Sequence, residues 1–247
     1  MPYTNNDGIR IHYHVEGAGP PLFLHHGFTI DLRTWYQWGY VGALKSDYRL
    51  IMIDSRGHGS SDKPHNPAAY EMSLRARDVL AVLDDLGIQQ AHFLGYSLGG
   101  RIGFHTAALA PERLSSMMIG GATAFGIPSQ PSQRFNAGLE AFFDSQPLPD
   151  EIKTPEFRAQ MLANDVQAFT AAEVDRPSLE HILPNLPMPC LLYGGDADPG
   201  YESFARCARQ IPGATFVTLP GVDHWAGAYR SDLMVPHIRA FLARVTS

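Results

Sequence analysis

The stretch Gly95-Tyr96-Ser97-Leu98-Gly99 is the part of this chain best suited to nucleophilic chemistry. The serine follows the short apolar run Ala91–Leu94, and a helical pattern begins at Leu98 and stops before Pro111. The five residues therefore fit G-x-S-x-G in a strand, turn, helix context. A serine on so sharp a turn has a strained backbone. Side chains two residues to either side would collide with the adjoining elements, which glycine avoids. Such a turn lifts the hydroxyl above the sheet and turns the Leu98 amide toward the place where an oxyanion forms, with the helix dipole adding partial positive charge. The competing reading is an N-cap serine with glycines for close packing.

A serine hydroxyl is a weak nucleophile and needs a base, which in turn needs an orienting acid. On this kind of scaffold they follow the serine in the order Asp or Glu, then His, at the ends of later strands. Only His224 and His237 come after the "YGGDAD" loop. His237 falls inside the final helix, whereas His224 follows the strand "ATFVTLP" in the loop "GVDHWAG" and is the expected base. The "GGDAD" loop offers the acid: Asp198 by register, with Asp196 as the alternative. Asp223 adjoins the base, and its side chain is expected to point away from the imidazole. A second oxyanion donor is expected after an early strand, where "LHHGF" places the Phe28 amide behind Gly27. His12, His14, His25 and His26 suggest a metal. Adjacent histidines on a strand face opposite sides, though, and no Cys/Asp/Glu cluster completes a site, so neither metal nor cofactor is expected.

These residues require a parallel sheet to carry them. "IRIHYHV" alternates like a half-exposed strand after an Asn-Asn-Asp-Gly turn. "PLFLHHG", "YRLIMIDSRG", "AHFLGY", "LSSMMIGGA", "PCLLYGGDAD" and "ATFVTLP" read as strands ending in loops. Helical patterns alternate with them: one over "SLRARDVLAVLDDLG", capped by Ser73 and closed by Gly87, and a last one over Leu233–Val245. This alternation implies right-handed crossovers and a mostly parallel sheet. Residues 1–124 and 187–247 form the expected α/β core. Residues 125–186, strand-free and interrupted by "IPSQPSQ", "QPLPD" and "PNLPMP", form a helical cap over the sheet's carboxyl edge. Within it Phe135, Leu139, Phe142 and Phe143 share a helical face, and a second helix runs from Pro155 to about Thr170.

Five motifs together resemble the α/β-hydrolase superfamily, in its esterase, lactonase and haloperoxidase-like branch: "HHGF" at 25–28, "DSRGHGSSDKP" at 54–64, "GYSLGG" at 95–100, "GGDAD" at 194–198 and "GVDH" at 221–224. The resemblance implies the α/β-hydrolase fold, with Asp54, Arg56, Gly57 and Gly59 shaping a turn. A serine nucleophile, and Thr29 where a proline would follow Phe28, argue against haloalkane dehalogenase and epoxide hydrolase activity. The implied reaction is hydrolysis of small to medium apolar acyl or aryl esters, or lactones, through an acyl-enzyme. Tyr96, Phe125, Phe135, Phe142, Phe143 and Trp225 are the candidate pocket wall. "HHGFTIDLRTW" with "GYSLGGR" also resembles the SHCHC synthase of menaquinone synthesis, a lyase in which Arg101 would bind a substrate carboxylate, helped by Arg134 or Arg158. A C–C bond hydrolase and a non-catalytic ligand receptor are further alternatives on this fold.

Composition sets the outer bounds. The chain has 247 residues, 45% hydrophobic and 18% charged, which suits one soluble domain with an insertion. A net charge of −6 without a basic run argues against nucleic acid. Cys190 and Cys207 are expected as buried or partly buried thiols in a reducing compartment. The N-terminus lacks a signal-like pattern and no apolar run is long enough to span a membrane, so the expected protein is cytoplasmic, a monomer or homodimer acting on a small molecule.

Overall fold

The computed structural model describes residues 2–128 and 134–245. Eight strands make one sheet: β1 (Tyr3–Asn6), β2 (Ile9–Glu16), β3 (Pro21–His25), β4 (Arg49–Ile53), β5 (Ala91–Tyr96), β6 (Leu114–Gly120), β7 (Cys190–Gly195) and β8 (Thr215–Leu219). Their spatial order is β1-β2-β4-β3-β5-β6-β7-β8. The β1–β2 and β2–β4 pairings are antiparallel, and every pairing from β4 to β8 is parallel. After β3 come α1 (Arg33–Gln37) and α2 (Tyr40–Leu44); after β4, α3 (Met72–Asp85); after β5, α4 (Leu98–Leu109). Between β6 and β7 lie α5 (Gly138–Ser145), α6 (Pro155–Leu162) and α7 (Val166–Ala171). α8 (Tyr201–Arg209) follows β7, and α9 (His224–Tyr229) and α10 (Ser231–Val245) follow β8.

The strand period of two divides the core between the faces of the sheet. Leu22, Leu24, Leu50, Met52, Leu94 and Met118 pack with Trp35, Tyr40, Ile238 and Phe241. The alternate residues Phe23, Ile51, Ile53, Phe93, Met117 and Ile119 pack on the other face with Val79, Val82, Ile102 and Cys207. Phe135, Phe142, Phe143, Phe157, Met161 and Phe169 join the first of these clusters. The helices between β6 and β7 thus share the main core. Cys190 and Cys207 are buried and unpaired. No helix among the described residues is long and apolar enough to cross a membrane.

Several elements differ from expectation. β1 is an additional strand, because a polar Tyr-Thr-Asn-Asn segment has no apolar alternation to signal it and pairs with β2 through its backbone. The hairpin turns at Asp7 and Gly8, both at positive φ. α3 starts at Met72 with no side-chain cap, so Ser73 lies inside the helix, while Gly87 closes the end at φ 65° as expected. The helix expected from Pro155 to Thr170 breaks in two, since Asp165 accepts hydrogen bonds from Gln167 N and Ala168 N and starts α7. His224 is the first residue of α9 rather than a loop residue. Residues 129–133 of the "IPSQPSQ" joint lie outside the described residues.

The D-x-R-G-x-G turn packs as a buried polar knot. The Asp54 carboxylate accepts Leu32 N–H at 2.9 Å and Ser60 N–H at 2.8 Å, and pairs with His12 Nδ1 at 2.8 Å. A Cβ at Gly59 would stand 2.3 Å from that carboxyl group. Arg56 donates to both oxygens of Asp78, at 2.7 and 2.6 Å. Beside this knot His25, His26 and His58 are buried, and burial holds all three below the ordinary imidazole range, His25 down to about 3. Unfolding exposes them to water, where imidazole titrates near ~6.5. The unfolded chain therefore binds more protons below that pH, and stability is expected to fall as pH drops from about 6.5 toward 3. The linkage slope reaches about 1.4 kcal/mol per pH unit for each such histidine. Urea denaturation at pH 7 and pH 5 checks this; an unchanged midpoint contradicts it.

Candidate active site

The turn between β5 and α4 places Ser97 at φ 51° and ψ −109°, a strained conformation for a residue with a side chain. Ser97 N–H donates to Gly120 O at 2.8 Å, tying the turn to the end of β6. The residues two positions to either side must be glycine. A Cβ on Gly99 would stand 2.1 Å from His25 O, and one on Gly95 would stand 2.5 Å from Gly99 O. Ser97 occupies the N-cap position of α4 but makes no side-chain capping bond. Its Oγ is instead 3.0 Å from His224 Nε2. The capping alternative is therefore not the one adopted.

His224 Nδ1 lies 2.6 Å from Asp198 Oδ2, and Asp198 Oδ1 accepts Gly200 N–H at 2.7 Å. Asp198 is buried, while the imidazole edge remains accessible. The other two candidate carboxylates have separate partners. Asp196 accepts Gly221 N–H at 2.6 Å, anchoring the loop that leads to His224. Asp223 accepts Ala226 N–H at 2.7 Å and so caps α9. Tyr96 donates its hydroxyl to His224 O at 2.5 Å, a contact that nothing in the sequence signals because the partners are 128 residues apart. Burial raises the Tyr96 phenol well above its usual range, so it stays a donor.

A cavity of about 520 Å³ opens over these groups. Phe28 and Leu98 both line it, and among the described residues neither of their N–H groups donates to another protein group. Of the expected wall, Tyr96, Phe142 and Trp225 line the cavity; Phe125, Phe135 and Phe143 do not. Phe135 packs between Phe142 and Phe169 in the core, Phe143 packs with its ring tilted against Phe157, and the Phe125 ring lies under the Arg206 guanidinium at 3.9 Å. Periodicity shows that an aromatic residue is buried but not which face of its helix meets the cavity.

Arginines are the larger surprise. Arg101, Arg134 and Arg176 line the cavity together. Arg101 donates to Phe125 O at 2.8 Å, and burial with the nearby Arg176 lowers its pKa to about 10. Burial and Arg134 likewise lower Arg176. Arg158 lies outside the cavity, paired with Glu140 and Asp144. Arg176 carries no sequence motif; its β-bridge with Ile127, with Leu179 N–H donating to Ala124 O at 2.8 Å, holds its segment beside the site.

The model of the α/β hydrolase fold matches residues 20–177. The chain belongs to this family. It is 26% identical, over 98% of each chain, to a putative 2-succinyl-6-hydroxy-2,4-cyclohexadiene-1-carboxylate synthase of Bacillus subtilis. It is 36% identical to mouse bifunctional epoxide hydrolase 2 over 46% of this chain, a match that spans only 20% of that enzyme. Among solved structures, the enol-lactonase from Burkholderia xenovorans superposes with a TM-score of 0.85 at 25% identity, covering 98% of this chain and all of that one.

The close approach at Gly99 yields a direct test. Gly99→Ala forces a methyl group into the His25 carbonyl, and the expected cost is about 3 kcal/mol or more of stability. Thermal denaturation measures it, and a melting temperature equal to wild type contradicts the packing.

Proposed function

We propose that the chain is a serine hydrolase that cleaves carboxylic esters or lactones through an acyl-enzyme. The observation that carries this reading is the continuous chain from Ser97 Oγ through His224 to Asp198, at 3.0 and 2.6 Å. In the proposed reaction Ser97 Oγ attacks the acyl carbonyl while His224 Nε2 takes its proton. The N–H groups of Phe28 and Leu98 stabilise the tetrahedral oxyanion. Collapse expels the alcohol, which receives the proton from His224. Water, deprotonated by His224, then releases the acid and restores Ser97. Asp198 fixes the imidazole tautomer and stabilises the imidazolium without becoming protonated. Residues 125–186 act as the cap that shapes the acyl pocket, and a small-molecule substrate in the cytoplasm accords with two unpaired buried cysteines. The full-length likeness to an enol-lactonase supports the lactone branch of this reading.

Arg101, Arg134 and Arg176 favour a substrate bearing an anionic group beside the reacting carbonyl, since guanidinium recognises carboxylate with paired donors. The same three residues, with the end-to-end match to the Bacillus synthase, support a second reading: a lyase in which they hold substrate carboxylates and the Ser97 group acts on a proton rather than an acyl carbon.

Ser97→Ala is expected to lower p-nitrophenyl butyrate turnover by at least about a thousandfold, with a melting temperature close to wild type. Activity surviving at a tenth of wild type places the chemistry elsewhere. Arg101→Ala separates the two readings. A hydrolase of simple esters keeps its p-nitrophenyl butyrate turnover within about threefold and loses selectivity for esters with a free carboxylate. A lyase turns over the simple ester poorly both before and after the change.

A further inference from the structure

We propose that Asn164, at the end of inserted helix α6, is a positioning residue for the oxyanion loop, acting with His58 to clamp Thr29 from both sides. This rests on the reading of the Phe28 N–H as an oxyanion donor. Thr29 follows Phe28 directly and sits at φ 71°, in the left-handed region that a β-branched residue adopts only under constraint. Proline, locked near ~−65°, cannot take this conformation. Each backbone polar group of Thr29 has a side-chain partner from a different part of the chain. Its N–H donates to His58 Nε2 at 3.2 Å, and its carbonyl accepts from Asn164 Nδ2 at 3.1 Å. His58 accepts only as neutral imidazole, and burial well below its ordinary pKa keeps it so.

Asn164 is held in turn. Its Nδ2 also lies 3.0 Å from Met161 O, at the end of α6. Earlier in the chain, buried Gln160 donates to Asp31 Oδ1 at 2.9 Å and accepts from Gln37 Nε2 at 2.9 Å. Gln160 within α6 and Asn164 two residues past its end thus together fasten this segment to residues 29–31. The Phe28 ring packs between His58 and Phe169, at centroid distances of 5.3 and 5.1 Å. The direction of the Phe28 peptide is therefore set by the inserted helices as much as by the sheet. The insertion serves as the outer wall of the oxyanion hole as well as a cover for the pocket.

The test follows the rate at which a fluorophosphonate labels Ser97 in the whole protein, read by intact mass, and so needs no knowledge of the substrate. In that step a Ser97 O–P bond forms, the P–F bond breaks, fluoride leaves, His224 takes the serine proton, and the phosphonyl oxygen occupies the oxyanion hole. Asn164→Ala and the near-isosteric Asn164→Asp are each expected to lower the maximal labelling rate about tenfold, as a small misplacement of one donor does. The half-saturating concentration and the melting temperature stay at wild type. Both variants labelling at the wild-type rate overturns the proposal, as does recovery of that rate by Asp alone, which means that only the shape of the residue matters. A slower rate accompanied by a shifted half-saturation and a lowered melting temperature also overturns it, as a general loosening of the insertion. Wild-type protein that is not labelled at Ser97 overturns instead the reading on which the proposal rests.

Discussion

The first turn of α4 lies against the end of β3 at a distance only glycine permits, and the architecture of the site depends on that contact. Gly99 faces the carbonyl of His25 so closely that a single methyl group cannot be added. With the helix drawn in this far, the turn before it is too tight for ordinary backbone angles, and Ser97 takes the strain at φ 51°. In return the hydroxyl meets His224 Nε2 at 3.0 Å, and Leu98 lines the cavity together with Phe28. β5 is the middle of the parallel strands, with β3 on one side and β6 on the other. The same edge thus receives the Phe28 loop from β3, Asp198 after β7 and His224 after β8.

Among the described residues the buried carboxylates Asp31, Asp54, Asp78 and Asp198 all have hydrogen-bond partners. Arg56 and Asp78 satisfy one another, while Asp54 accepts two turn amides and pairs with His12, which is what makes their burial tolerable. Asp196 and Asp223, chemically equivalent to Asp198, hold backbone amides on either side of the His224 loop. Their work is to place the imidazole; that of Asp198 is to face it. Three carboxylates within 28 residues thus divide the tasks of loop anchor, helix cap and ion partner by the direction of a single side chain.

The cavity joins two unlike sources. The sheet edge and α4 contribute Ser97, His224 and Arg101, whereas the segment between β6 and β7 contributes Arg134, Arg176, Phe142, Ser145 and Gln146. Burial lowers the affinity of Arg101 and Arg176 for their protons, and the neighbouring arginines add to it. An expectation of an apolar pocket was therefore only partly apt: Tyr96, Phe142 and Trp225 supply apolar wall, and the guanidinium groups supply the rest.

The sequence alone determined what local chemistry can encode. G-x-S-x-G between an apolar run and a helical pattern, the Gly-rich loops after each strand and the chain order of serine, acid and histidine marked the fold, the Ser97 turn and the residues that meet there. Those signals are short-range, since strand period, helix period and turn residues act within a few positions. Tertiary structure decided everything that depends on direction across distance. It chose Asp198 over Asp196 as the partner of His224, sent Phe135 and Phe143 into the core, brought Arg176 to the cavity instead of Arg158, and fastened Asn164 to Thr29 across 135 residues. Which of several equivalent side chains faces a site is set by packing between elements, and no spacing along one element records it.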